Sequence, residues 1–188
     1  MTRVTARVPA APYSDSRRGG SKLAPLETGG SNDHIYDHLH TINETERDNA
    51  ATQFGYVKEG TACFVFPDAV SGGTGSVPFY RLVGSPVGKP NHLYTADLTE
   101  FNNAIAKYHY QYEGFPACWV FIQRLPNTVP LFRFTNATNF DHVYTISDSE
   151  FSELKNNPGF TLDGIACYVY ASQAPGTVEL YRLRLEAQ

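Results

Sequence analysis

The sequence predicts a mostly β fold: a closed, pseudo-threefold array of three repeats, each of four strands plus a short helix. Three observations predict it. One pattern of about fifty residues occurs three times. Aromatics make up 13% of the chain, with 12 Tyr and 12 Phe, which favours strands over helices. A strand motif that opens the second and third copies also returns near the C-terminus, with no copy behind it. The expected arrangement is a three-bladed, propeller-like ring, with a β-trefoil as the alternative.

The first copy reads Asp37-His38-Leu39-His40-Thr41, Glu46, Phe54-Gly55-Tyr56, Glu59-Gly60 and Ala62-Cys63-Phe64. The second reads Asn91-His92-Leu93-Tyr94-Thr95, Glu100, Tyr108-His109-Tyr110, Glu113-Gly114 and Ala117-Cys118-Trp119. The third reads Asp141-His142-Val143-Tyr144-Thr145, Glu150, Pro158-Gly159-Phe160, Asp163-Gly164 and Ala166-Cys167-Tyr168. The leading element is Phe79-Tyr80-Arg81-Leu82 in the second copy and Leu131-Phe132-Arg133-Phe134 in the third. Its C-terminal recurrence, Leu180-Tyr181-Arg182-Leu183, is expected to complete the first unit and so remove a free sheet edge.

Within a unit, alternation of apolar and polar residues predicts strands around Phe79–Leu82, His92–Thr95, Tyr110–Glu113 and Cys118–Phe121. The helix between the second and third begins at Asn43, Asp97 or Ser147. Each is followed three residues later by Glu46, Glu100 or Glu150, the capping-box spacing. Ala50, Ala51 and Phe54 give the first helix an apolar face, as Phe101, Ala104 and Ile105 do the second. The organisation expected is a tail over residues 1–22 and one domain over 23–188. The repeats span 23–70, 77–123 and 129–171, with the closing strand at 178–185.

Bulk properties narrow the function classes. A formal net charge of -4 disfavours a polyanion such as nucleic acid. Three cysteines cannot all pair within one chain, which argues against a disulfide scaffold. Their equivalent positions suit small buried residues. No run of eighteen apolar residues predicts a membrane span. The basic start of the chain lacks the apolar core of a secretory signal, so a cytoplasmic location, or release without a signal peptide, is expected.

The repeated polar positions carry the candidate chemistry. Residues two apart on a strand share a face, so His92 pairs with Tyr94, His142 with Tyr144 and His38 with His40. Imidazole beside an aromatic hydroxyl suits a sugar's hydroxyls and its C–H face. With Asp37, Asn91 and Asp141 at the head of each motif, and Arg81, Arg133 and Arg182 on the leading strands, these form the candidate ligand-binding set. The competing reading makes the histidines core residues and the arginines structural partners of Asp37, Asp141, Glu59, Glu113 or Asp163. Three like carboxylates do not supply the unequal pair that glycoside hydrolysis needs. No nucleophile elbow, phosphate loop or paired metal-ligand motif is visible. Asp33, His34, Asp37, His38 and His40 cluster in one unit only and are read as loop polarity rather than a metal site. No catalytic residue, metal or cofactor is therefore assigned.

These motifs resemble an uncharacterised repeat family of bacterial surface proteins and fungi. Its members carry a Tyr-Arg-Leu strand, Asp-His-Phe-Tyr-Thr, a Glu and Tyr-x-x-Glu-Gly. The match runs over roughly residues 32 to 185; His40 departs from the Tyr of the pattern and Asn91 from its Asp. The resemblance implies a lectin-like, non-enzymatic protein with up to three related sugar sites, taking glycans or cell-wall polysaccharide. The alternatives are a glycoside hydrolase and a protein-interaction or inhibitor module using the loop Ser71–Ser76.

Overall fold

The computed structural model describes residues 35–85, 88 and 90–186. The expected tail over 1–22, and Asp33 and His34, lie outside the described residues. Thirteen elements follow in order: β1 (Ile35–Thr41), α1 (Glu44–Gln53), β2 (Tyr56–Val65), α2 (Ala69–Gly72), β3 (Ser76–Gly84), β4 (Asn91–Thr95), α3 (Leu98–Tyr108), β5 (Gln111–Phe121), β6 (Thr128–Asn136), β7 (His142–Thr145), α4 (Asp148–Asn156), β8 (Phe160–Tyr170) and β9 (Val178–Glu186).

The strands form one nine-stranded antiparallel sheet in the order β1-β9-β2-β8-β5-β3-β4, with β6 and β7 branching from β8. This corrects the expected closed array: the sheet is not closed, and neither a three-bladed propeller nor a β-trefoil is formed. The ladders that hold it are internal to three groups of strands. β9 lies between β1 and β2, β3 between β4 and β5, and β6 between β7 and β8. The long strands pair across units only at single residues: β2 with β8 at Phe64 and Tyr170, β5 with β8 at Phe121 and Tyr168, and Phe66, just past β2, with Trp119 of β5. Three isolated bridges are not a ladder that could close a ring.

Each unit has three strands, not four. The segments expected as separate third and fourth strands are one long strand, β2, β5 or β8. A bulge stands where the sequence reads Glu/Asp-Gly. Gly60, Gly114 and Gly164 hold φ of 109°, 90° and 126°, a conformation that a side chain resists. The strand bends there and its ladder resumes, whereas in sequence the glycine reads as a break.

The helix starts follow from local hydrogen bonding. Asn43 and Asp97 each accept from two backbone N–H groups, and Ser147 from that of Glu150. The N–H of each cap residue is taken by the preceding threonine, Thr41, Thr95 or Thr145, at 2.9–3.0 Å. The recurring threonine thus turns strand into helix, and Glu46, Glu100 and Glu150 are released for another task.

A central core draws on all three units: Cys63, Val65, Phe79, Tyr94, Cys118, Val120, Leu131, Tyr144, Cys167, Val169 and Leu180. Three satellite clusters sit under the helices, centred on Leu183 beneath α1, Leu82 beneath α3 and Phe134 beneath α4. Each such buried Leu or Phe contributes about 1.5–3 kcal/mol. The cysteines are free and buried, and burial pushes the Cys63 thiol up to about 12, so they are inert packing groups. No helix among the described residues is long and apolar enough to cross a membrane.

Candidate functional site

Each leading-strand arginine joins two units. Arg81 on β3 donates through Nη1 and Nη2 to Glu46 of α1 at 3.0 and 2.7 Å, and through Nε to Glu113 of its own unit. Arg133 on β6 does the same to Glu100 of α3 at 3.0 and 2.6 Å, with Asp163 at 2.8 Å. Arg182 on β9 reaches Glu150 of α4 at 2.9 and 2.8 Å, with Glu59 at 2.6 Å. The second unit is thereby forked to the first, the third to the second and the first to the third. Burial alone would raise the Glu59 carboxyl; Arg182, then His38, outweighs it and holds the group at about 2.

The motif histidines also reach across units. Asp37 accepts from the His92 backbone N–H at 2.7 Å and lies 2.6 Å from its Nδ1, while the Tyr56 hydroxyl donates to the same carboxylate. His38 Nδ1 lies 2.6 Å from Asp141. At the third equivalent place Asn91 replaces the aspartate. Its Oδ1 accepts from the Tyr110 hydroxyl, and neither its Nδ2 nor His142 Nδ1 has a hydrogen-bond partner among the described residues. Burial, and next Arg133, push His142 down to about 4, so it stands as neutral imidazole.

At the centre three rings pack edge to face. His40 lies 5.2 Å from Tyr94 and 5.4 Å from Tyr144. The Tyr94 hydroxyl accepts from the His40 N–H and donates to its C=O; the Tyr144 hydroxyl does the same to Tyr94. His40 cannot reach Tyr144 in turn, and both its ring nitrogens are buried without a partner among the described residues. The freed Tyr144 carbonyl accepts from Arg182 instead, at 3.2 Å.

The sequence-selected residues divide accordingly. Asp37, His38, His40, Arg81, Asn91, Tyr94, Asp141, Tyr144 and Arg182 are buried and serve the junctions or the centre. His92, His142 and Arg133 line open clefts. His92 and Tyr94 sit two apart as expected, but the tyrosine end of that face points into the core.

Among the described residues, two clefts open at junctions between units. The larger, about 1050 Å³, lies between α3 and the third unit and is lined by Asn103, Lys107, Tyr108, Tyr110, Arg133, Phe140, His142 and Asp163, among others. Tyr108 is 69% and Phe140 48% exposed, and both rings line this mostly apolar cleft, one from the end of α3 and one from the third unit. A smaller recess of about 240 Å³ shares Asp97, Glu100, Arg133 and Asp163 with it. The second cleft, about 610 Å³, is the equivalent place between α1 and the second unit, where Phe54 is 66% exposed and Pro90 and His92 stand opposite. At the junction of the third unit with the first, Arg184 folds onto Glu59 at 3.1 Å. There the Glu150 side chain is 9% exposed, against 34% for Glu46 and 35% for Glu100. Among the described residues, the ion pairs of the third junction are thus more deeply buried than those of the other two.

Tyr108 and Phe140 were not named from the sequence as site residues, and Phe54, expected on the apolar face of the first helix, is instead its exposed C-cap residue. The signal was present: Phe54 and Tyr108 stand at one equivalent position, two before the buried Tyr56 and Tyr110, where the third unit has Pro158. An aromatic at a helix end is indistinguishable from a core residue until the helix face is known.

One family model, described as "Domain of unknown function (DUF5648)", matches the chain twice, over residues 30–121 and 86–187. Each match spans about two of the three units, which agrees with an internal repeat. No curated protein and no solved structure matches.

Proposed function

On the premise that the chain belongs to the DUF5648 family, whose description assigns no activity, we propose that it is a carbohydrate-binding protein. Its principal site is the cleft between the second and third units. The observation that carries this reading is the pair of exposed rings, Tyr108 and Phe140, lining a mostly apolar cleft of about 1050 Å³ that also holds polar side chains. Aromatic faces stack on the C–H faces of a sugar ring, while Asn103, Lys107 and the neutral His142 offer donors and acceptors to its hydroxyls. A concave, mostly apolar cleft with a few convergent polar groups is the usual form of a small-molecule site.

Binding without turnover is the reading that the carboxylates favour. Glu100 and Asp163 are both held by Arg133. Burial would raise the Glu100 carboxyl, but the Arg133 guanidinium outweighs it and keeps the group ionised. Glycoside cleavage needs a carboxyl that stays protonated, and the fork works against one. The natural ligands on this reading are glycans or cell-wall polysaccharide.

The test is a glycan array followed by calorimetric titration of the best ligand. Tyr108→Ala and Phe140→Ala should each weaken binding about tenfold, the equivalent of about 1.4 kcal/mol for one lost stacking face. No bound glycan at all, or an affinity indifferent to both changes, overturns the proposal.

A further inference from the structure

The three motif histidines occupy equivalent places, one at each junction, yet carboxylates hold them unequally. His38, between the third unit and the first, lies 2.6 Å from Asp141 through Nδ1 and 3.7 Å from Glu59 through Nε2. His92, between the first and the second, lies 2.6 Å from Asp37. His142, between the second and the third, is paired with no carboxylate, and its buried Nδ1 has no hydrogen-bond partner among the described residues. Asn91 stands there, where the other junctions have Asp37 and Asp141. The exchange keeps the tyrosine bond of that position: the Tyr110 hydroxyl donates to Asn91 Oδ1 at 2.5 Å, as Tyr56 donates to Asp37. What it gives up is the histidine. The ring so released lines the larger cleft. Burial, and next Arg133, hold it down at about 4 against Asp141, Asp163 and Glu100, the last two being themselves paired with Arg133.

We propose that Asn91 is a positioning residue of the larger cleft: by standing in for the aspartate, it leaves the His142 ring untied and free to hydrogen-bond a ligand held there. This deepens the reading of that cleft as the ligand site and rests on it. An imidazole tied to aspartate has one nitrogen committed to the fold. An untied neutral ring has a donor and an acceptor to offer, and a sugar hydroxyl answers both. An imidazolium at this half-buried place would need its charge paired, which a neutral glycan cannot do. The ligand class that Asn91 favours is therefore an uncharged, hydroxyl-rich sugar.

The experiment compares the full chain with Asn91→Asp, which restores the residue that heads the other two motifs, with His142→Gln, and with the double variant. Proton NMR first follows the His142 ring against pH without ligand. Asn91→Asp should raise its titration midpoint by about one to three pH units. Calorimetry then titrates each protein with the glycan that the array ranks first. Asn91→Asp and His142→Gln should each weaken binding about tenfold, the worth of one good hydrogen bond. The loss in Asn91→Asp should deepen as pH falls through the raised midpoint. It is read as a ratio to the unaltered chain, so that His109 and Lys107, which also line the cleft, cancel. In the His142→Gln background, Asn91→Asp should change the affinity no further, since it acts through the ring. An unmoved midpoint overturns the proposal, and so does an affinity that neither single variant changes. A raised midpoint in a protein that binds no array glycan overturns the sugar reading alone and supports the untying of His142 by Asn91. Should Asn91→Asp not fold, as judged by circular dichroism, undiminished binding by His142→Gln overturns the proposal by itself.

Discussion

His40→Tyr should stabilise this protein, because His40 breaks a chain of hydrogen bonds that its two counterparts complete. Tyr94 and Tyr144 each place a hydroxyl between the N–H and C=O of the next ring residue, at 2.7–2.9 Å. His40 is too short to do this and buries two ring nitrogens without partners among the described residues. Each orphaned polar atom costs about 1–3 kcal/mol, and each of the two bonds a new hydroxyl could make returns about 0.5–1.5 kcal/mol. Against that stand about 1–3 kcal/mol for adding ring atoms to a packed core and the displacement of Arg182 from the Tyr144 carbonyl. The net expected is about 1–2 kcal/mol, a rise in Tm of roughly 2–8 °C for a chain of this size. Differential scanning calorimetry at pH 7.5 measures it, with His40→Phe as the control that removes the nitrogens but adds no hydroxyl. His40→Phe should gain less than His40→Tyr. A Tm that falls in both variants would refute the reasoning, since it would mean that the imidazole nitrogens are satisfied as they stand.

Four further outcomes follow. Arg182→Leu strands Glu150 as a buried, unpaired charge, leaves Glu59 with Arg184 and His38 only, and should cost about 3–5 kcal/mol in urea unfolding. Lys58→Ala, which breaks an exposed pair with Asp48, should cost less than about 1 kcal/mol. His142 is held at about 4, below the ordinary histidine value of 6.5. As pH falls from 6.5 to 4 the unfolded chain binds a proton that the folded one refuses, so stability is lost across that window. His40, also pushed down by burial, adds to the loss; His38, raised by Asp141 and Glu59 against its own burial, acts above pH 6.5 instead, its contribution being complete below that value. His142→Gln should flatten the slope of urea midpoint against pH between 6.5 and 4, and an unchanged slope would exclude His142 as a source. Truncation before Val178 removes the strand shared by β1 and β2 and should abolish cooperative unfolding; a truncated chain with a sharp melt would count against β9 as the partner of both strands.

Much of this was legible because the signals are local. The Asn43, Asp97 and Ser147 caps sit at the helix starts that their spacing indicates, and the Arg strands lie where the repeat puts them. What the sequence misplaced depends on long-range geometry. Gly60, Gly114 and Gly164 read as strand breaks, yet their positive φ lets one strand bend and continue. Period-two alternation pairs His92 with Tyr94 but cannot say which face meets the core, and β4 is buried throughout its length. Glu46, Glu100 and Glu150 satisfy the capping-box spacing, but the preceding threonines take the cap N–H and free these glutamates for an arginine on another unit. Closure failed as an expectation because the contact of β2, β5 and β8 through single residue pairs leaves no trace in any one strand's composition.

The most direct test of the central claim is amide chemical-shift mapping of the intact chain during titration with the glycan it binds best. Shifts concentrated at Asn103, Tyr108, Phe140 and His142 are the result predicted for a cleft that holds a sugar between two rings. Perturbations confined to the loop Ser71–Ser76, or spread evenly over the three units, would contradict it.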